Sequence, residues 1–408
     1  MIVIKKIVFL IGTLMMSFWP IPACPASLEF SDLFKSALDA EDAGNLDDAL
    51  ARFSDALKLN ANSARAWAKK GEVYLRKGDP QSAIKDLLQA VKLDPAYGAA
   101  FTRLGFAYNA VNEYDKAIVA LDLAVKLEPT SSEAFNTRGF AFNGKNQYDE
   151  AMKDFDKAIL LNSNDARYYN NRGFAYNGKH EYSKAVENFD RAIALDSNNP
   201  MYYNNRGVAY LRQKDFDSAL DDFDKTLKIE SKFASGYHNR GMAYSGKGRH
   251  DKAVEEFSKV IEMNPQSPVL YKDRGTAYRK LGEHELALKD FEKAIELDKG
   301  FAPGYGALGL LRALAPEPPI RNPGQALRLA EKASSLTGGT SPDMLEILAE
   351  VQHALDRPDD ALRTLQQAIA MDPSNKDYQE LLRKWTGHGA AVPSQVDPGK
   401  TQMFPNLW

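Results

Sequence analysis

Cys24 is the only cysteine in this 408-residue chain, so no intrachain disulfide can staple the fold and no cysteine metal set exists. N-glycosylation sites are missing too. None of the asparagines stands in an Asn-X-Ser/Thr sequon, which favours a bacterial envelope over a eukaryotic secretory route. There is no basic excess: 52 Lys and Arg face 55 Asp and Glu, a formal net charge of −3. That excludes a chain-wide nucleic-acid-binding surface while leaving local basic patches open. The six histidines are scattered, with His180, His250 and His284 near predicted turns, and form no metal set. No P-loop, His-Glu-x-x-His or Gly-x-Ser-x-Gly motif occurs. Gly304-Tyr305-Gly306-Ala307-Leu308-Gly309 matches Gly-x-Gly-x-x-Gly, but no strand precedes it and it falls within a predicted helix. No catalytic residue, cofactor site or metal site is therefore predicted.

Long apolar runs are scarce. The one that stands out is Ile7 to Trp19, thirteen residues preceded by Lys5 and Lys6. Pro20, Pro22 and Pro25 follow among Ala23, Ala26 and Ser27. A membrane span needs about 20 apolar residues, and this layout is that of a secretory signal peptide. Residues 1–26 are predicted to be cleaved after Ala26, leaving an exported chain in the periplasm or medium. Ile21-Pro22-Ala23-Cys24 also resembles a bacterial lipobox, from which Pro22 departs. The membrane is thus expected as a partner only through the signal peptide or a lipid on Cys24.

What the chain has in abundance is a period. Ala49, Ala83, Ala117, Ala151, Ala185, Ala219, Ala253 and Ala287 recur every 34 residues. Twelve positions before seven of them stand Gly71, Gly105, Gly139, Gly173, Gly207, Gly241 and Gly275. An aromatic lies four before each glycine (Trp67, Phe101, Phe135, Tyr169, Tyr203, Tyr237, Tyr271) and another three after it (from Tyr74 to Tyr278). A large apolar residue follows the alanine, as at Phe155, Phe189, Phe223, Phe257 and Phe291. Spacings of 3 and 4 are the stripe of an amphipathic helix, so each repeat predicts two helices joined by a short turn such as Lys77-Gly78-Asp79. Such a hairpin cannot bury its apolar faces alone and must stack on its neighbours.

These columns resemble the tetratricopeptide repeat (TPR). The resemblance implies an all-α, right-handed superhelical solenoid with a concave groove. Eight tandem repeats occupy residues 27–301, in phase from Phe30 to Phe301, with Ala37 in the glycine column of the first. Two irregular repeats follow over 302–373, with an insertion carrying Pro316, Pro318, Pro319 and Pro323. Residues 374–385 are predicted as a capping helix and 386–408 as a flexible tail.

Self-alignment exposes a coupled pair of columns. The position before the glycine is basic in Lys70, Arg138, Arg172, Arg206, Arg240 and Arg274. Sixteen positions on stand Asp86, Asp154, Asn188, Asp222, Glu256 and Asp290. The third repeat loses both at once, with Leu104 and Ala120. Joint loss predicts a structural pair between the two helices of a hairpin rather than a ligand-reading row.

In this family the opposite face of each first helix lines the groove. There the chain carries Asn136, Asn170 and Asn204, then Asn171, Asn205 and Asn239 one position later. A further row is Asn109, Asn143 and Asn177, beside Phe106, Phe140, Phe174, Val208 and Met242. An amide both donates and accepts, so exposed asparagines are expected to hold an extended peptide backbone, with the phenylalanines forming apolar pockets. Arg65, Lys69, Arg76 and Arg103 at one end, and Lys272, Arg279 and Lys280 near the eighth repeat, are candidate anchors for acidic groups or solvated faces. The family's carboxylate clamp is not found in register. The expected function is a non-enzymatic scaffold or adaptor binding a protein or extended peptide in the cell envelope, with no nucleic-acid partner. The alternative is a regulatory or substrate-recruiting subunit of a separate envelope enzyme, a glycosyl transferase or peptidase.

Overall fold

A computed structural model describes residues 25–387. The predicted signal segment up to residue 24, Cys24 itself and residues 388–408 lie outside the described residues. The chain forms two compact units, one ending at His180 and the other starting at Glu181. Every regular element described in either unit is an α-helix, so the all-α solenoid class holds.

The first unit contains α1 (Pro25–Asp42), α2 (Leu46–Leu59), α3 (Ala64–Arg76), α4 (Pro80–Leu93), α5 (Gly98–Ala110), α6 (Tyr114–Leu127), α7 (Ser132–Gly144), α8 (Tyr148–Leu161) and α9 (Ala166–Gly178). Helices start where the sequence offers a cap. Ser63 Oγ accepts from the Ala66 amide at 3.2 Å and Asp79 Oδ1 from the Ser82 amide at 3.0 Å. They stop at left-handed turn residues that repeat every 34 positions: Gly44, Gly78, Asn112 and Asn146, with φ between 58° and 78°. Glycine suits that backbone at no steric cost, and asparagine tolerates it better than most residues.

The second unit contains α10 (Tyr182–Leu195), α11 (Pro200–Arg212), α12 (Phe216–Ile229), α13 (Ala234–Gly246), α14 (His250–Met263), α15 (Pro268–Leu281), α16 (His284–Leu297), α17 (Ala302–Leu314), α18 (Pro323–Leu336), α19 (Pro342–Ala354), α20 (Pro358–Met371) and α21 (Lys376–Thr386). Lys214, Gly248 and Gly282 continue the left-handed turn positions. The Pro-rich insertion is packed down: Ile320 is buried in a cluster with Phe291, Leu308 and Leu311, and the Asn322 amide donates to the Arg312 carbonyl at 2.8 Å. The capping helix starts at Lys376 rather than Ser374, because Asn375 caps it and Ser374 is spent in a turn on Asp372.

Within each unit the glycine column marks where the two helices of a hairpin touch. A Cβ at Gly207 would lie 2.7 Å from the Phe223 ring, one at Gly241 2.6 Å from Phe257, and one at Gly275 2.7 Å from Phe291. The rings of Phe223 and Phe291 are fully buried against these bare backbones, as is Phe155 against Gly139 in the first unit. A second glycine set went unread in the sequence. Gly144 packs on the Tyr114 ring, Gly178 on Tyr148 and Gly246 on Phe216, which seats each first helix on the preceding second helix.

Candidate protein-binding face

Successive first helices touch one another: α3 with α5, α5 with α7 and α7 with α9 in the first unit, α11 with α13 and α15 with α17 in the second. No comparable contact joins successive second helices among the described residues. The first helices therefore form the tighter, inner layer of each stack and the second helices the outer one.

The asparagines on that inner layer are largely committed to the fold. Asn171 Nδ2 donates to Asn136 Oδ1 at 2.9 Å, and Asn239 Nδ2 to Asn204 Oδ1 at 2.9 Å, each pair 35 residues apart on adjacent repeats. His238 Nε2 and Asp273 make the same clasp at 2.8 Å. Asn170 and Asn204 are buried. Asn109 and Asn143 are buried as well and donate to the Thr137 and Asn171 carbonyls of the next first helix at 2.9 and 3.2 Å. Among the described residues, the side-chain oxygens of Asn109, Asn143 and Asn177 are buried without a hydrogen-bond partner. The expectation of a row of free amides is thus corrected: most of these groups join repeat to repeat, because an amide lodged between stacked helices finds its nearest polar partner on the next first helix, even where its oxygen stays unpaired. Asn205 also has a partner.

The phenylalanines behave differently. Phe106, Phe140 and Phe174 are 50%, 46% and 53% exposed, one per repeat on α5, α7 and α9. In the second unit the same column holds Val208 and Met242, which line a cavity against α11 and α13. An apolar row at 34-residue intervals, half in water, is surface the fold itself does not need.

The basic column is structural. Arg138 grips Asp154 with Nε and Nη2 at 2.8 and 2.7 Å, Arg206 grips Asp222 at 2.9 and 2.6 Å, and Arg274 grips Asp290 at 2.8 and 2.8 Å. Arg240 binds Glu256 at 2.9 and 2.6 Å. Burial pushes the Asp154 and Asp222 carboxyls up, and the bidentate guanidinium opposes it. Lys70 approaches Asp86 only to 3.3 Å, since an ammonium lacks the planar fork. In the third repeat Leu104 and Ala120 are both buried, an apolar substitute for the pair.

Sequence comparison between columns missed the other half of this arrangement. Nη1 of Arg138, Arg172 and Arg240 donates backward to Asp122, Asp156 and Asp224 on the preceding second helix, at 2.8, 2.6 and 2.6 Å. A second ladder runs outside it: Lys77, Lys145, Lys179 and Lys247 pair with Asp47, Asp115, Asp149 and Asp217, each 30 residues back. The signal was present as an acidic residue at fixed distance before each cation.

Of the two basic clusters, the first is neutralised in place. Arg103 meets Glu72 at 3.2 Å and Glu133 at 2.5 Å, Lys69 meets Glu72 at 2.9 Å, and Arg76 meets Glu41 at 3.2 Å. Arg65 lies over the Phe34 ring. In the second, Lys272 pairs with Asp273, whereas Arg279 and Lys280 have no carboxylate in salt-bridge range among the described residues. No group of three or more potential metal ligands occurs among the described residues, and no described helix is long and apolar enough to cross a membrane.

Tetratricopeptide-repeat profiles match residues 34–98, 74–139, 141–179, 179–214, 200–233, 234–267, 268–301 and 345–377. Together they span most of the sequence, and the chain belongs to the tetratricopeptide repeat family. No curated protein matches it. Solved structures similar to it include yeast Tom70, 16% identical over 88% of this chain and 95% of that one, with a TM-score of 0.43. MamA from Desulfovibrio magneticus RS-1 is 24% identical over 42% of this chain and 96% of its own, with a TM-score of 0.37. The Cut9–Hcn1 hetero-tetramer of the APC/C is 13% identical over 88% and 76%, with a TM-score of 0.50, a likeness of fold.

Proposed function

We propose that this chain is a non-enzymatic protein-interaction scaffold of the cell envelope, holding a partner protein or extended peptide on the inner face of its first helices. The observation that carries this reading is the exposed row Phe106, Phe140 and Phe174, aromatic surface left half in water in three successive repeats. Stacked repeats offer such a row as one continuous strip, so several modest contacts along a single extended partner sum to useful affinity. The envelope placement is supported by Lys5, Lys6 and the apolar run Ile7 to Trp19.

A photoreactive phenylalanine analogue placed at Phe140 tests the face directly. The outer helix α6 carries the competing surface, with Val119 65%, Leu123 42% and Leu127 39% exposed. Crosslinks to a partner protein from residue 140 and not from residue 119 support the inner face; the reverse pattern contradicts it. N-terminal sequencing of the exported protein tests the location. A start near Ser27 supports it, a lipid-modified Cys24 selects the lipobox form, and a start at Met1 removes the export claim.

A further inference from the structure

In the second unit the inner face deepens into a cavity of about 540 Å³ against α11, α13 and α15. Val208, Leu211 and Met242 give it apolar walls, and Arg212, Lys214 and Lys280 supply charge; no carboxylate lines it. Among the described residues, Arg212 and Lys280 have no carboxylate in salt-bridge range. This sets them apart from the inner-face cations of the first unit, where Lys69, Arg76 and Arg103 each hold a glutamate. Apolar walls rimmed by uncompensated cations are complementary to a segment that mixes carboxylates with apolar side chains.

The chain itself shows what such a cation accepts. Lys214 meets Asp377 of α21 at 3.3 Å although 163 residues separate them, and both side chains are mostly exposed. On α19 stand Asp343, Glu346 and Glu350, and Asp377 lies near enough to act on the Glu346 carboxyl. An exposed single pair is weak and exchanges readily.

We propose that the cavity along α11, α13 and α15 docks an acidic segment of a partner protein, and that Asp377 occupies Lys214 until such a segment displaces it. The proposal concerns the second unit and the phenylalanine row the first, so each can fail without the other.

The test is fluorescence anisotropy of the full chain with a labelled peptide of repeated Glu-Glu-Leu triplets. A Gln-Gln-Leu peptide and an oligothymidylate of matching length serve as comparisons. The acidic peptide should bind at least about tenfold tighter than the neutral one, and Arg212→Gln/Lys214→Gln/Lys280→Gln, which removes the cations that line the cavity, should cost about tenfold or more. Asp377→Ala should tighten binding by about two- to fivefold, since it removes the internal competitor. Equal affinity for the acidic and neutral peptides, or unchanged affinity in a triple variant of wild-type helicity, overturns the proposal. Tighter binding of the oligonucleotide than of the acidic peptide overturns it in favour of a general polyanion site. If the triple variant does not fold, the exposed single change Lys280→Glu is read instead: a several-fold loss is expected, and no loss overturns the docking site. No tightening in Asp377→Ala overturns the displacement step.

Discussion

Arg206 holds two helices at once: Nε and Nη2 take the Asp222 carboxylate of its own hairpin at 2.9 and 2.6 Å, while Nη1 reaches Asp190 of the preceding second helix at 2.5 Å. Arg206→Ala leaves a buried carboxylate without its counter-charge, a loss of about 3–5 kcal/mol where burial is complete and less here, since Arg206 is partly exposed. Arg206→Leu with Asp222→Ala copies the third repeat, where Leu104 and Ala120 are buried together. The double variant should recover part of the loss in urea melts. Strict additivity of the two single changes would mean that the residues are uncoupled.

The glycine column should resist even one carbon. Gly207→Ala places a Cβ 2.7 Å from the Phe223 ring, so a loss of about 1–3 kcal/mol from overpacking is expected. Gly324→Ala, whose nearest neighbour is Asn322 Oδ1 at 4.0 Å, should be neutral or slightly stabilising. Equal thermal melts of the two variants would contradict the packing described.

At the turns the demand is on the backbone and not on space. Gly248 has φ +74° and nothing within 4 Å of a built Cβ, so Gly248→Ala should cost about 1 kcal/mol purely through the left-handed conformation. Gly248→Asn should cost less than that, because Asn112 and Asn146 already serve at the equivalent turns. If the two substitutions melt alike, the left-handed turn is not what sets the residue.

A pH dependence follows from α19. Burial, then Glu350, Asp343 and Asp377, raise the Glu346 carboxyl from 4.5 to about 7. The folded state keeps this proton to higher pH than the unfolded chain does. Its contribution to stability is therefore complete below about pH 4.5 and is lost as pH rises to 7. Glu346→Gln, which keeps the shape of the protonated acid, should match wild type near pH 4. At pH 8 it should be more stable by on the order of 1–3 kcal/mol, at 1.36 kcal/mol per pKa unit less solvent screening. A constant offset between the two melts across that range would exclude Glu346 as the titrating group.

The contacts inside one hairpin were legible in the sequence, because a residue and its partner keep a fixed spacing within a repeat. Gly207 with Phe223 and Arg206 with Asp222 both sit sixteen apart and recur in register. Contacts between repeats were harder to read. The Asn171–Asn136 and Asn239–Asn204 clasps join residues 35 apart, and only the stacking geometry shows that these amides face each other and not solvent. Charge was misjudged for the same reason: Arg103 looks free in sequence, yet Glu72 and Glu133 reach it from the flanking repeats.

The central claim is that partners are held by the exposed phenylalanine row of the first unit. Its most direct test is the affinity of a crosslink-identified partner for the triple variant Phe106→Ala/Phe140→Ala/Phe174→Ala. These rings are half in water, so helicity and melting should stay close to wild type. Binding should weaken by about 10- to 1000-fold, from the loss of three anchors worth on the order of 1 kcal/mol each. A folded triple variant that binds the partner as tightly as wild type would contradict the account and move the site to the outer face at Val119, Leu123 and Leu127.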